Sequence, residues 1–310
     1  MRFITRALPF LAALALAVAG TGSAAASPVA PAKGLAPSSG VYLGAFANES
    51  GGISTLETKI GRTLALDRQY VPWTFTGWAK RIGPDAAAGR IPELAWSAAP
   101  TTTAAAIASG SQDGVIRAAA TAMRDTKVQL MLVMWYEFDQ PAGHKRYIGT
   151  PSQVVAAWRH TVDLFRAVGA MNVHFVWTPM AFDFAPRANV DARAFYPGDT
   201  YVHWIGADAY NLPGAPFRTQ DELLDAAVTF AHAHHKPFIV GETASLASVA
   251  ATPGWIEAYG AWAAAHPTVK AVNFFDSISP KGYDFRLVAN PALLTAFTNL
   301  GQQAYMRAMP

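Results

Sequence analysis

The stretch KPFIVGETAS, Lys236–Ser245, runs apolar through Phe238, Ile239 and Val240 and then meets a glycine and an isolated carboxylate, Glu242. About a hundred residues earlier, VQLMLVMWYEFDQP (128–141) repeats the layout: an apolar run, two aromatics, then Glu137. Apolar runs without alternation suit strands covered on both faces, as in a parallel sheet flanked by helices. Two such strands that each deliver a glutamate at the end call for a fold that gathers strand ends in one place.

The rest of the chain supplies the partners. Strand-like runs occur at VYLGAF (41–46), YVPWTF (70–75), IPELAWS (91–97), VHFVWTPM (173–180), YVHWIGADAY (201–210) and VKAVNFFD (269–276), besides 128–138 and 236–242. Helical patterns fall between them: GVIRAAATAMRD (114–125), PSQVVAAWRHTVDLFRAVG (151–169), TQDELLDAAVTFAHAHH (219–235), PGWIEAYGAWAAAHP (253–267), and a closing segment from Asn290. The second of these opens on Pro and Ser and stops at Gly, as a capped helix does. The helices expected after the first two strands are weakly marked. Eight strands alternating with helices over this length predict an α/β chain folded as a single-domain (β/α)8 TIM barrel. The competing open doubly wound sheet normally carries a glycine-rich first turn, and after Phe46 the sequence offers only NESGG.

The N-terminus reads differently. Arg2 and Arg6 precede an apolar run from Ala7 to Ala19, and SAAAS supplies small residues for cleavage after Ala26. This is the layout of a secretory signal peptide (1–26), and the run is shorter than the roughly 20 residues of a membrane span. Residues 27–40, rich in Pro, Ala, Ser and Gly, read as a flexible lead-in to a barrel over 41–310. The expected product is a secreted, extracellular monomer with no membrane attachment after cleavage. The formal charge of +3 loses two units with Arg2 and Arg6, and no Lys/Arg-rich cluster follows, so nucleic acid is not an expected partner. The chain has no cysteine, which excludes disulfides and thiolate chemistry. Its nine tryptophans suit a flat, partly apolar ligand such as a sugar ring wherever they stand at strand ends; Trp96, late in the third strand, is one candidate.

In a barrel the active site lies at the C-terminal ends of the strands. Glu137 ends the fourth strand and Glu242 the seventh, so both point into one mouth. Paired carboxyl groups flanking a bond are what glycoside hydrolysis uses: one protonates the leaving oxygen, and the other attacks the anomeric carbon or activates water. Strands four and seven bring such a pair together at close range, which favours the retaining, double-displacement route.

The chain also resembles glycoside hydrolase family 26. The resemblance runs through ETKIGR, IPELAWS with IASGSQDGVIRAAA, WYEFD carrying Glu137, NVHFVWTPM, FYPGDTYVHWIGADAYN, KPFIVGETAS with Glu242, and YDFRL. It implies a secreted barrel acting on a β-mannan-like polysaccharide or β-glucan without a cofactor or metal, with Glu137 as acid/base and Glu242 as nucleophile. It further implies that Tyr210 hydrogen-bonds the nucleophile and that Trp177 lines the sugar site. Asp208 lies in the same segment and receives no role. Where the family carries an Arg, a His and an Asn around the acid/base, this sequence has Val133, Tyr136 and Asp139. The loss of the Arg removes a cation beside the carboxylates, Tyr136 can still hydrogen-bond or stack on sugar, and Asp139 accepts where Asn could also donate. These departures leave a second reading, a carbohydrate-binding barrel impaired in catalysis.

Three weaker signals point elsewhere. HAHHK (232–236) has metal-like spacing but falls at a helix end on the face opposite the mouth, where His complements the helix dipole. NES (48–50) fits an N-glycosylation pattern. Asp183, Asp208, Glu242 and Asp276 near strand ends resemble the ion-holding acids of metal-dependent lyases and isomerases, but no Lys ends a strand to serve as their base.

Overall fold

The computed structural model describes residues 35–48, 51–185 and 190–310. The expected signal peptide lies outside them, as do Glu49 and Ser50 of the glycosylation pattern. The chain runs β1 (Tyr42–Ala47), α1 (Ile53–Ile60), β2 (Leu66–Pro72), α2 (Trp78–Ala87), β3 (Ile91–Ser97), α3 (Ala104–Ala108), α4 (Asp113–Thr126) and β4 (Leu130–Met134). It continues α5 (Pro151–Val168), β5 (Val173–Trp177), β6 (Trp204–Asn211), α6 (Gln220–Ala233), β7 (Phe238–Ser245), α7 (Thr252–Ala265), β8 (Val269–Asp276) and α8 (Pro291–Gln302). The strands close into one parallel barrel in chain order, with β1 pairing β8. This is the (β/α)8 barrel the alternation predicts. Among the described residues no helix is long and apolar enough to cross a membrane.

Local chemistry sets the element ends. Thr150 accepts from the Gln153 amide while the Gln153 side chain accepts from the Thr150 amide, and Pro151 opens the helix. Such a cap is worth about 1 kcal/mol. Gly169 closes α5 in the left-handed conformation, φ 79°, which glycine adopts without Cβ strain. Thr219 and Glu222 repeat the box on α6. The weakly marked α1 and α2 both form.

Strand parity divides the core in two. Leu66, Ile91, Ala95, Met131, Val133, Val176, Trp204, Ile239 and Ala271 fill the barrel interior. Their neighbours Leu94, Trp96, Leu132, Met134, Phe175, Trp177 and Val240 face the helices. The alternation follows from the two-residue period of a strand.

Several boundaries differ from expectation, two of them by four residues. β2 starts at Leu66 rather than Tyr70 because it contains Asp67, Arg68 and Gln69, whose polarity hides the strand; all three are bonded internally, Arg68 to Glu93 and Gln69 to Asp67 and Asp85. β4 stops at Met134, and residues 135–138 form a turn.

Residues 35–40, assigned by composition to the lead-in, pack on the barrel: Leu35 joins the interior cluster. The Val41 amide donates to the Tyr305 carbonyl (2.8 Å), and Tyr42 bridges Ala308. The last residues of the chain therefore lie against the start of β1, on the face opposite the strand ends.

Candidate active site

The C-terminal ends of the strands enclose a cleft of about 580 Å³ lined by Tyr136, Glu137, Tyr210 and Glu242, among others. That volume is within the usual range for a ligand site. Both expected carboxylates reach it, by different backbone devices.

Glu137 arrives on the turn after β4. Trp135 and Glu137 have φ of 55° and 54°, a region that costs a non-glycine residue roughly 1–2 kcal/mol. The neighbouring strands hold the turn there. The Trp135 amide donates to the Trp96 carbonyl (3.0 Å), and the Glu137 amide donates to the Thr178 carbonyl (3.2 Å).

Glu242 arrives through a bulge. The register between β6 and β7 pairs Ala207 with Val240 and then Asp208 with Glu242, so Gly241 is an extra residue. The insertion gives Glu242 the inward parity of Asp208, a common use of a bulge beside a site. Only glycine fits at the extra position: a Cβ on Gly241 would stand 2.4 Å from Asp208 Oδ1 and 2.7 Å from Thr178 Cγ2.

The carboxylate oxygens of Glu137, Asp208 and Glu242 all come within 4.8 Å of one another. Two guanidinium groups supply the opposing charge. Arg68, fully buried on β2, binds Glu242 Oε1 at 2.7 Å and Glu93 Oε1 at 2.5 Å, with Asp208 Oδ2 at 3.9 Å. Asn273 donates to the other oxygen of Glu93 (2.5 Å). Arg146, from the loop between β4 and α5, binds Glu137 Oε2 at 2.6 Å. The cation expected to be lost at Val133 is therefore provided from elsewhere: Val133 packs in the barrel interior, and β2 brings Arg68 instead.

The two glutamates are driven apart electrostatically. Burial raises the Glu137 carboxyl above the ordinary range; Arg146 opposes this and the Glu242 charge adds to it. Burial acts in the same sense on Glu242, but Arg68 and hydrogen bonds from Tyr210 and Tyr70 outweigh it and hold that carboxyl below its usual value. Burial and the Glu242 charge raise both phenols well above the tyrosine range, so they remain donors. Burial, and then the Glu242 charge, push the Asp208 carboxyl well above its usual range. Paired carboxyls with opposed shifts are the pattern of an acid and a nucleophile in one site.

Of the other expected site residues, Tyr210 donates to Glu242 Oε2, and Tyr136 lines the cleft beneath the Arg146 guanidinium, 4.1 Å from its ring centre. Trp96 and Trp177 do not line it. Both are fully buried and follow an inward residue, so parity turns them to the helices. Trp96 stacks on Trp73 at 4.2 Å, and Trp177 donates to the Phe195 carbonyl (3.2 Å). Asp139 is also sealed from the cleft: its Oδ2 accepts from the Met180 amide (2.9 Å), and burial with the nearby Asp183 pushes its carboxyl well up. Asp139 ties the turn after β4 to the segment after β5 and touches no ligand space.

The cleft wall is instead built from Phe46, Tyr70, Tyr136, Tyr210, Phe275 and Phe285. Their rings form a chain of contacts, Phe46 to Tyr70 at 4.6 Å and Tyr70 to Tyr136 at 5.0 Å. No tryptophan is among the lining residues of this cleft. Sequence reasoning missed Arg68, Tyr70, Arg146 and Phe275. Leu66, Arg68 and Tyr70 share one parity, and a charged residue on the inward side of a strand was the available signal for Arg68.

Comparison with known proteins agrees with this architecture. The chain is 27% identical over 272 residues to endoglucanase H of Acetivibrio thermocellus, an alignment covering 83% of this chain and 29% of that protein. It therefore spans about three tenths of the length of that curated relative. In structure it resembles a double mutant of the Cellulomonas fimi endo-β-1,4-mannanase (TM-score 0.66, 17% identity, covering 86% of this chain and 71% of that one). It also resembles a β-mannanase of family 26 from Bacteroides ovatus (TM-score 0.60, 14% identity, 87% and 90% covered). At these identities the two structures speak to the fold. The family model described as glycosyl hydrolase family 26 matches residues 115–236, the span that carries Glu137, β5 and β6; with the relation to endoglucanase H across most of the chain, the comparisons support a glycoside hydrolase similar to family 26.

Proposed function

We propose that this protein is a secreted hydrolase of a β-linked polysaccharide, of the β-mannan or β-glucan backbone type, acting with retention of anomeric configuration. Glu242 is the nucleophile and Glu137 the acid/base. The observation that carries the reading is the separation of the carboxylates. One oxygen of each lies within 4.8 Å of the other, a close approach that suits the about 5–5.5 Å between carboxyl groups in retaining enzymes better than the about 6.5–9.5 Å in inverting ones.

The residues divide the work as follows. Glu242, ionised beside Arg68 and the Tyr210 hydroxyl, attacks the anomeric carbon as Glu137 gives its proton to the departing oxygen. A glycosyl ester on Glu242 results. Glu137, now a carboxylate, takes a proton from water as that water attacks the same carbon, releasing the sugar and restoring both groups. Arg146 stabilises the ionised form of Glu137 and so favours the second step; the first requires it to withdraw. The aromatic wall provides apolar ring faces against which sugar C–H faces pack.

The test is covalent trapping. A 2-deoxy-2-fluoro glycosyl fluoride of β configuration should add one glycosyl mass to the protein, mapping to Glu242. The first product released from an aryl β-glycoside should be the β anomer by NMR. Glu137→Gln should lower kcat/KM on polysaccharide by about 10²–10⁴-fold, with much of the rate kept on activated aryl glycosides. An α first product, or an adduct mapping elsewhere, would overturn the assignment; polysaccharide binding without turnover would identify the catalytically impaired barrel.

A further inference from the structure

One end of the cleft gathers positive charge. The loop between β4 and α5 brings His144, Lys145 and Arg146 to the wall, and the loop after β8 brings Lys281 to the same wall. The groups are close: after burial, the charges of Arg146, Lys145 and Lys281 are what depress the His144 pKa. Lys145 also lies within electrostatic reach of Glu137. The acids that line the cleft are Glu137 and Glu242, each already held by a guanidinium. Among the described residues neither Lys145 nor Lys281 forms an ion pair, although such pairs occur elsewhere on the surface. A low-dielectric cleft carrying one sign of charge concentrates ligands of the other sign.

Arg146 adds a second, independent observation. Its Nε lies 2.6 Å from Glu137, and its guanidinium rests over Tyr136. In that position it favours the ionised form of Glu137, against the rise that burial imposes, whereas the first chemical step needs the protonated form. A neutral sugar offers the guanidinium nothing comparable in exchange. A carboxylate does, because arginine pairs with it through two parallel hydrogen bonds.

We propose that the cleft is built for a β-glycan bearing carboxylate groups, that Lys145 and Lys281 hold its anionic sugars, and that Arg146 exchanges Glu137 for a substrate carboxylate as the chain seats. The exchange frees Glu137 to take up the proton it must donate. The anionic sugar lies on the leaving-group side, next to Glu137. This names the substrate class of the reading above and rests on it. Neutral β-mannan and β-glucan then share the backbone the enzyme cuts but lack the group that releases its acid.

The test compares polymers that differ only at C6. β-1,4-Mannuronan and β-1,4-glucuronan are each paired with the same material after carboxyl reduction, which yields the β-1,4-mannan and β-1,4-glucan backbones. Binding to the full chain is measured by calorimetry and turnover by reducing-end release, at low salt and at about 0.5 M, where screening cuts the interaction to a few Å. The acidic member of at least one pair should bind and turn over at least tenfold better at low salt, with KM rising in salt. The Lys145→Ala/Lys281→Ala variant should raise KM for that polymer by about three- to tenfold, with kcat and the reduced polymer little affected. Arg146→Gln should abolish the preference in kcat. Equal or better binding of both neutral polymers, or a KM indifferent to salt and to the lysine pair, would overturn the proposal. Because calorimetry needs no turnover, an inactive protein that still prefers the acidic polymer would sink the hydrolytic reading and leave this one standing.

Discussion

Arg68 is the group on which both the stability and the reactivity of the site converge, and replacing it with Met separates the two. The guanidinium is fully buried and joins Glu93 at 2.5 Å to Glu242 at 2.7 Å, across β2, β3 and β7. Removing one partner of a buried ion pair costs about 3–5 kcal/mol, because the other charge is stranded. At about 2–4 °C per kcal/mol for domains of comparable size, the melting temperature should fall by roughly 10 °C. The chemistry should change with a defined sign. Arg68 is the largest influence holding the Glu242 carboxyl down, so its loss raises that pKa. The acidic limb of kcat/KM then moves to higher pH, and kcat/KM at neutral pH falls roughly 10–100-fold, the worth of a hydrogen bond to a charged group. Thermal melts and a pH–rate profile read both effects. Arg68→Met/Glu93→Met removes the stranded Glu93 as well and should recover part of the stability without restoring the pH limb. If Arg68→Met melted with the parent and kept its acidic limb in place, the account of Glu242 given above would be wrong.

Two further outcomes follow from burial. Trp177→Ala should cost about 3–5 kcal/mol in denaturant unfolding with KM on any polysaccharide unchanged, since the ring packs behind β5 and not in the cleft; a raised KM at parental stability would return Trp177 to the sugar site. Burial holds His174 near 4, and burial with the neighbouring His174 and Lys236 holds His203 near 3. The unfolded chain therefore takes up protons below about pH 6.5 that the folded chain refuses, and stability falls on acidification from there. His203→Asn keeps an acceptor for the Phe175 amide and should flatten that fall; an unchanged pH slope would show that these rings do not set it.

Much of the fold was legible because β3 and β8 begin and end where their apolar runs do, at Ile91–Ser97 and Val269–Asp276. β2 was misplaced because tertiary bonds make Asp67, Arg68 and Gln69 acceptable inside a barrel, a fact no local hydrophobic pattern contains. The glutamates were found because each follows a long apolar run, and the glycine before Glu242 marks the bulge that turns it inward. The tryptophans misled for the opposite reason. An aromatic near a strand end looks like a sugar platform, but one residue of parity decides between cleft and core, and parity cannot be counted without the interior partners of neighbouring strands. Arg146 was hidden for a simpler reason: it lies on a loop whose path across the mouth the strands do not dictate.

The packing of Tyr305 and Ala308 against Val41 and Tyr42 also has a bearing on access to the cleft. Residues 41–42 and 305–308 meet at the base of the barrel, on the side away from Glu137 and Glu242. This seam closes the bottom of the barrel like a keel, leaving the mouth that holds Glu137 and Glu242 free of either segment.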